Sequence, residues 1–239
     1  MAVALEGGCR VSTMHEGDSG VFGSLKVWTQ IGRATGAEAI SLRILEFGPG
    51  TSPGLRNQEF DEVIYVQEGD CTVFIDDAAY EVGPETGIYL RPGQTLTVEN
   101  SGPNLVRFVS SQCPKDTSST PSEGPPIVKL SDRRALPTAD RWYRVLVDDE
   151  IGSEQVTQFV GSIPPGRAPD HFHEYEEVLF ILRGEGRMWA GQTNTPIGPT
   201  SCIYLPKRQV HCVENTGEGE LRLLGVFYPA GSPAVRYEA

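Results

Sequence analysis

Basic side chains, histidine and paired cysteines are what this sequence has little of. Its 239 residues carry 20 Lys and Arg against 32 Asp and Glu, for a net charge of −12, and no run of basic residues appears. A basic face is the electrostatic footprint of a nucleic-acid binder and of a protein that docks on anionic lipid, so neither partner is expected. No apolar run approaches the roughly 20 residues that cross a bilayer. The opening Met1-Ala2-Val3-Ala4-Leu5-Glu6 lacks a basic flank and a long apolar stretch, so no signal peptide is expected. The five cysteines, Cys9, Cys71, Cys113, Cys202 and Cys212, are odd in number and form no C-x-x-C pair. That excludes a disulfide framework and fits a reducing cytoplasm.

Histidine is the most informative scarcity. There are four in the chain, and three fall between Gly166 and Asn215. His171 and His173 flank Phe172, Glu177 follows, and His211 comes later, after Pro206 and before Asn215. Residues two apart share one face of a strand, so His171 and His173 point together and Phe172 points away. On a helix the pair would diverge by about 200°. Neutral imidazoles with one carboxylate suit Mn, Fe, Co, Ni, Cu or Zn, and suit Ca or Mg poorly. The fourth histidine, His15, lies outside this cluster and reads as a surface residue. Cys212 alternates to the opposite face from His211 and is not expected to be a ligand. Glu174, Tyr175 and Glu176 read as a solvated acidic loop. Met188, Trp189, Phe180 and Tyr204 read as core or pocket wall.

These residues resemble the two motifs of the cupin superfamily. Gly166, His171-Phe172-His173, Glu177 and Gly184 follow the first, and Gly198, Pro206, His211 and Asn215 the second. The departures fall in turns: four residues after Gly166, seven between Gly198 and Pro206, and Arg208 where the family has Gly. The resemblance implies that His171, His173, Glu177 and His211 bind one divalent transition metal per chain, its identity open. It also implies a catalytic role for Glu177, which could take a substrate proton.

The chain also contains its own repeat. Displaced by 115 positions, Glu62-Val63 falls on Glu177-Val178, Gly69 on Gly184, Ile88-Tyr89-Leu90 on Ile203-Tyr204-Leu205, and Val98-Glu99-Asn100 on Val213-Glu214-Asn215. A one-residue shift in the preceding turn brings Gly50 onto Gly166. Self-similarity over this length means two copies of one domain. Between them, Pro114 to Pro126 has four prolines, three serines, two threonines, one glycine and no apolar residue, which is linker chemistry. The division expected is 1–113, a linker at 114–126, and 127–239.

Each copy reads as short strands and glycine turns, for example Glu62–Gln67 before Gly69 and Glu177–Arg183 before Gly184, with one helical turn near Ser131–Ala135. The chain is therefore expected to be all-β, and the resemblance sharpens this to two jelly-roll cupin barrels in tandem. The copies differ in chemistry. In the ungapped register Arg56, Gln58, Glu62 and Leu96 occupy the ligand positions of the first copy. Arg stays protonated and Leu offers no donor, so the first barrel is expected to be metal-free. Arg56 is expected either to pair with Glu62 or to reach solvent.

Three imidazoles and a carboxylate leave open positions on a six-coordinate ion, the mark of a catalytic site. The expected function is a metal-dependent enzyme on a small polar organic substrate, foremost an O₂-dependent dioxygenase. The alternatives are a non-redox cupin enzyme (isomerase, decarboxylase, lyase or ureidoglycine-aminohydrolase-like) and a non-catalytic small-molecule binder. Fold alone does not choose among them. A homodimer is left open.

Overall fold

The computed structural model describes residues 1–56, 58–115, 124–235 and 237–238. Strands dominate, as expected, and the helical turn near Ser131–Ala135 is a single 3-10 turn at Leu130–Asp132. Four antiparallel sheets build two jelly-roll barrels. In the first half, a seven-stranded sheet runs Ile127–Lys129, Thr86–Leu90, Phe60–Glu68, Val106–Pro114, Leu42–Phe47, Leu25–Ile31, Asp18–Phe22. It faces a smaller sheet ordered Ala78–Val82, Cys71–Ile75, Thr95–Asn100, Gly50–Thr51. The second half repeats this. Its large sheet runs Val3–Ala4, Arg10–Thr13, Ser201–Leu205, Glu176–Arg183, Leu221–Tyr228, Thr157–Ile163, Arg141–Val147, Leu136–Thr138. Its small sheet is built on Gly186–Ala190 and His211–Asn215.

Three short strands cross between the halves, which the sequence did not lead us to expect: Val3–Ala4 pairs with Arg10–Thr13 at the edge of the second barrel's large sheet. Arg10–Thr13 pairs with Ser201–Leu205 of the second barrel, and Ile127–Lys129 pairs with Thr86–Leu90 of the first. The receiving strands are the same element of the repeat. Each half of the expected division lends edge strands to the other. Residues 116–123 of the expected linker lie outside the described residues.

The cores explain the sequence pattern. One apolar cluster fills each barrel, and a third, with Trp28, Ile44, Tyr65 and Tyr89 from the first half and Leu146, Val160, Phe180 and Tyr204 from the second, lies between them. Strand Glu176–Arg183 is therefore covered on both faces. Leu179 and Ile181 point into its barrel, Val178 and Phe180 into the shared core. A strand buried on both faces reads as a continuous apolar run rather than an alternating one. The repeated turn glycines Gly69 and Gly184 sit at φ +83° and +87°, a backbone state that strains any residue with a side chain.

Glu176 corrects the reading of 174–176 as a solvated loop. It is fully buried. Its carboxylate accepts the backbone N–H groups of Glu38 and Ala39 at 2.8 Å each and of Ile40 at 3.2 Å, and the Tyr204 hydroxyl at 2.5 Å. The equivalent position of the first half does the same with a shorter acid: Asp61 accepts the Tyr89 hydroxyl at 2.6 Å. Tyr204 thus belongs to the joint between barrels and not to a pocket wall.

Candidate metal centre

Strand alternation delivers the site. Glu177 neighbours Glu176 but points the other way, into the second barrel beside Leu179. His211 opens strand His211–Asn215 of the facing sheet, and His171 stands directly across from it in strand His171–Phe172. The chain then turns once more and brings His173 back to the same point. Among the described residues, the imidazoles of His171, His173 and His211 each offer a ring nitrogen within 4.8 Å of the others.

Hydrogen bonds fix how these rings face. His171 Nδ1 bonds the Pro169 carbonyl at 3.0 Å, His173 Nδ1 that of Val235 at 3.1 Å, and His211 Nδ1 that of Gln209 at 2.8 Å. A carbonyl only accepts, so each Nδ1 carries the proton and each Nε2 carries the lone pair. This arrangement is the usual one for metal-ligating histidines. Glu177 Oε2 lies 3.8 Å from His173 Nε2 and 3.6 Å from His211 Nε2. That oxygen is buried and accepts no hydrogen bond among the described residues, a costly state for a carboxylate. Burial raises the Glu177 carboxyl to about 8 and, with the neighbouring imidazoles, lowers His211 to about 3. Three aligned lone pairs and an orphaned carboxylate oxygen fit a divalent transition metal.

The four expected site residues thus come together. The residues around them divide among cavity, core and surface. Val213 lines the cavity, whereas Gln209 contributes its carbonyl to orient His211. Met188 packs in the barrel core, Trp189 donates to Glu214, and Phe180 lies between the barrels. Cys212 faces away and takes a hydrogen bond from Arg167 Nε at 3.3 Å. His15 is a half-exposed residue against Trp28 and Glu46.

Sequence reasoning missed the residues that hold the site from the far end of the chain. Tyr175 stacks on His173 at 4.8 Å and donates to the Ser232 carbonyl at 3.0 Å. Tyr237 stacks on Phe172. No motif marks Ser232, Val235 or Tyr237, so only the fold reveals that they strap the site. A cavity of about 90 Å³ opens beside the histidines, walled by Phe159, Leu179, Leu223 and Phe227, with Thr138, Arg141 and Ser162 adding polar groups. Gly225 makes room for this wall. A Cβ there would lie 2.3 Å from the Phe159 ring.

Comparison with known proteins agrees with this geometry. Residues 159–227 match the Cupin domain family. The whole fold resembles a putative glyoxylate-induced protein from Pseudomonas aeruginosa, with a TM-score of 0.80, 17% identity, and 98% of this chain and 94% of that chain covered. The second barrel carries a Cupin domain. The chain also resembles in fold a mutant of Bacillus subtilis oxalate decarboxylase, with a TM-score of 0.77, 12% identity, and 93% of this chain and 78% of that one covered. Among curated proteins, auxin-binding protein 1 of Arabidopsis thaliana is 31% identical over 86 residues, 32% of this chain and 43% of that protein. The chain thus spans less than half the length of the curated relative it matches. No helix among the described residues is long and apolar enough to cross a membrane.

In the first barrel the corresponding space is filled differently. Leu55 stands across from Leu96, as His171 stands across from His211. The equivalent of His171 is therefore Leu55, not Arg56, and the one-residue shift falls after Leu55 rather than in the earlier turn. Glu62 is paired with Arg43, whose Nη2 lies 2.5 Å away, and not with Arg56, which is exposed. Ser110 and Gln112 also donate to its carboxylate, at 2.6 and 2.9 Å. Sheet register places Arg43 and Gln112 where the second barrel has Phe159 and Phe227.

Proposed function

We propose that this bicupin is a metal-dependent enzyme for a small polar organic substrate, using one divalent transition metal held by His171, His173, Glu177 and His211, and that it is an O₂-dependent dioxygenase. The supporting observation is the convergence of three Nε2 atoms and an orphaned Glu177 oxygen on one side of an apolar, aromatic cavity. Such a wall excludes water and accepts O₂. A bound Fe, Mn, Ni, Cu or Co supplies the redox centre and open coordination positions.

The chain's own residues do the rest. Arg141, at the cavity rim, offers a positive charge to an acid or enolate. Phe159 and Phe227 hold the carbon skeleton. Glu177 takes the substrate's acidic proton on the carboxylate oxygen that the metal would leave free. Tyr143 also lines the cavity, where it can contact the substrate.

O₂ uptake by the metal-reconstituted chain, measured across small acids, enols and phenols, tests the reading. Uptake supports the dioxygenase. Turnover without uptake moves the protein to the non-redox cupin enzymes. Saturable binding without turnover makes it a binding module.

A further inference from the structure

The first barrel keeps a cavity although its ligand positions are lost. It encloses about 260 Å³ and is bounded by Val27, Leu45 and Leu55 on the apolar side and by Arg43, Arg56 and Gln112 on the polar side. Glu62 lies at its base, already held by Arg43, Ser110 and Gln112. One acid against two guanidiniums leaves the cavity with one positive charge in excess. Arg43 keeps 21% of its side chain exposed, and its Nε has no acceptor among the described residues. Arg56 stands at the mouth, exposed, with no ion pair among the described residues.

We propose that the first barrel binds a small monocarboxylate with a short apolar tail. The carboxylate sits between Arg56 and the exposed part of Arg43, and the tail lies on Val27, Leu45 and Leu55. The site needs no metal, because the Arg43–Glu62 pair replaces the ion. A guanidinium fork favours a planar carboxylate over a spherical anion. A second negative charge on the ligand would meet Glu62 with no partner left, which disfavours dicarboxylates.

Butanoate is the probe, with butanamide as its uncharged isostere and succinate as the dianion. The full-length, metal-loaded chain is titrated by calorimetry. Intermolecular NOEs from the butanoate methyl then locate the site, since Val27, Leu45 and Leu55 line only the first cavity and Leu179 and Leu223 only the second. We expect NOEs to the first set and at least tenfold weaker binding of butanamide and succinate. We also expect at least tenfold weaker butanoate binding in Arg56→Gln, a surface change that leaves the fold intact. NOEs only to Leu179 and Leu223, butanoate binding unmoved by Arg56→Gln, equal binding of butanamide, or no binding at all would each overturn the proposal. Because the readout lies in the metal-free barrel, it is independent of whether the second barrel proves to be a dioxygenase.

Discussion

At the level of single residues, the two barrels carry the same fold around opposite solutions to one problem, a carboxylate buried inside a barrel. Glu62 meets a permanent guanidinium, whereas Glu177 keeps an open oxygen beside three imidazoles. Replacing His211 by Ala should abolish stoichiometric metal binding while leaving the fold intact, because Val213 and its neighbours still hold the wall. The variant should melt close to metal-free wild type and well below the loaded protein, since a ligand bound only to the native state stabilises it by mass action. Leu96→Ala is the control: Leu96 is fully buried, so it should lose roughly 2–5 kcal/mol of stability with metal content unchanged. Metal content by elemental analysis and melting by calorimetry decide both.

The same residues set the pH response. In the metal-free fold Glu177 titrates at about 8 against an ordinary 4.5, so between those values the folded chain keeps a proton that the unfolded chain has released. Metal-free stability therefore falls as pH rises through that window. His211 acts in the other direction. With its pKa lowered from 6.5 to about 3, it costs stability as pH drops through that range. Above pH 6.5 the Glu177 carboxyl still titrates, and a bound cation displaces its proton. The gap in melting temperature between loaded and metal-free protein should widen from pH 6.5 to about 8.5. Glu177→Gln should flatten it, and a gap that stays constant in wild type would show that Glu177 is not a ligand.

At the level of elements, the site depends on a segment with no motif. Val235 accepts from His173 Nδ1, Ser232 anchors Tyr175, and Tyr237 pairs in register with Phe172. A chain ended after Ala230 should lose the carbonyl that orients His173 and bind metal about 10–100-fold more weakly, the usual cost of removing a partner behind a ligand. Competition with a calibrated chelator measures this without reference to activity. The ligand quartet was legible in the sequence because strand alternation and motif spacing fix it locally. The tail was not, because its contacts are backbone carbonyls more than 50 residues away, which any residue supplies. The repeat was legible through turn glycines and apolar strands. The crossing strands Arg10–Thr13 and Ile127–Lys129 were not, being too short to carry a period. Arg43 escaped notice for a related reason. It lies on a strand before the motif, and only sheet register places it opposite Ser110 and beside Glu62.

At the level of the whole molecule, those crossing strands decide what the two halves are to each other. Each barrel's large sheet is completed by short strands of the opposite half, and the faces between them share a core that includes Tyr65, Tyr89, Phe180 and Tyr204. The Glu176 carboxylate adds three hydrogen bonds to backbone of the first half. Separating the halves would expose this core and strip Glu176 of those donors. That is costly for a buried carboxylate, and it would leave an open edge on each sheet. A protease site placed within 116–123 should therefore cut the chain without parting it. The nicked protein should run as one species in size exclusion, keep its metal, and melt in a single transition. Each half expressed alone should aggregate, and mixing the halves during refolding should recover the nicked complex. Two halves that separate after cleavage and melt independently would show that the shared core adds little, and that the barrels are joined by the linker rather than by their faces.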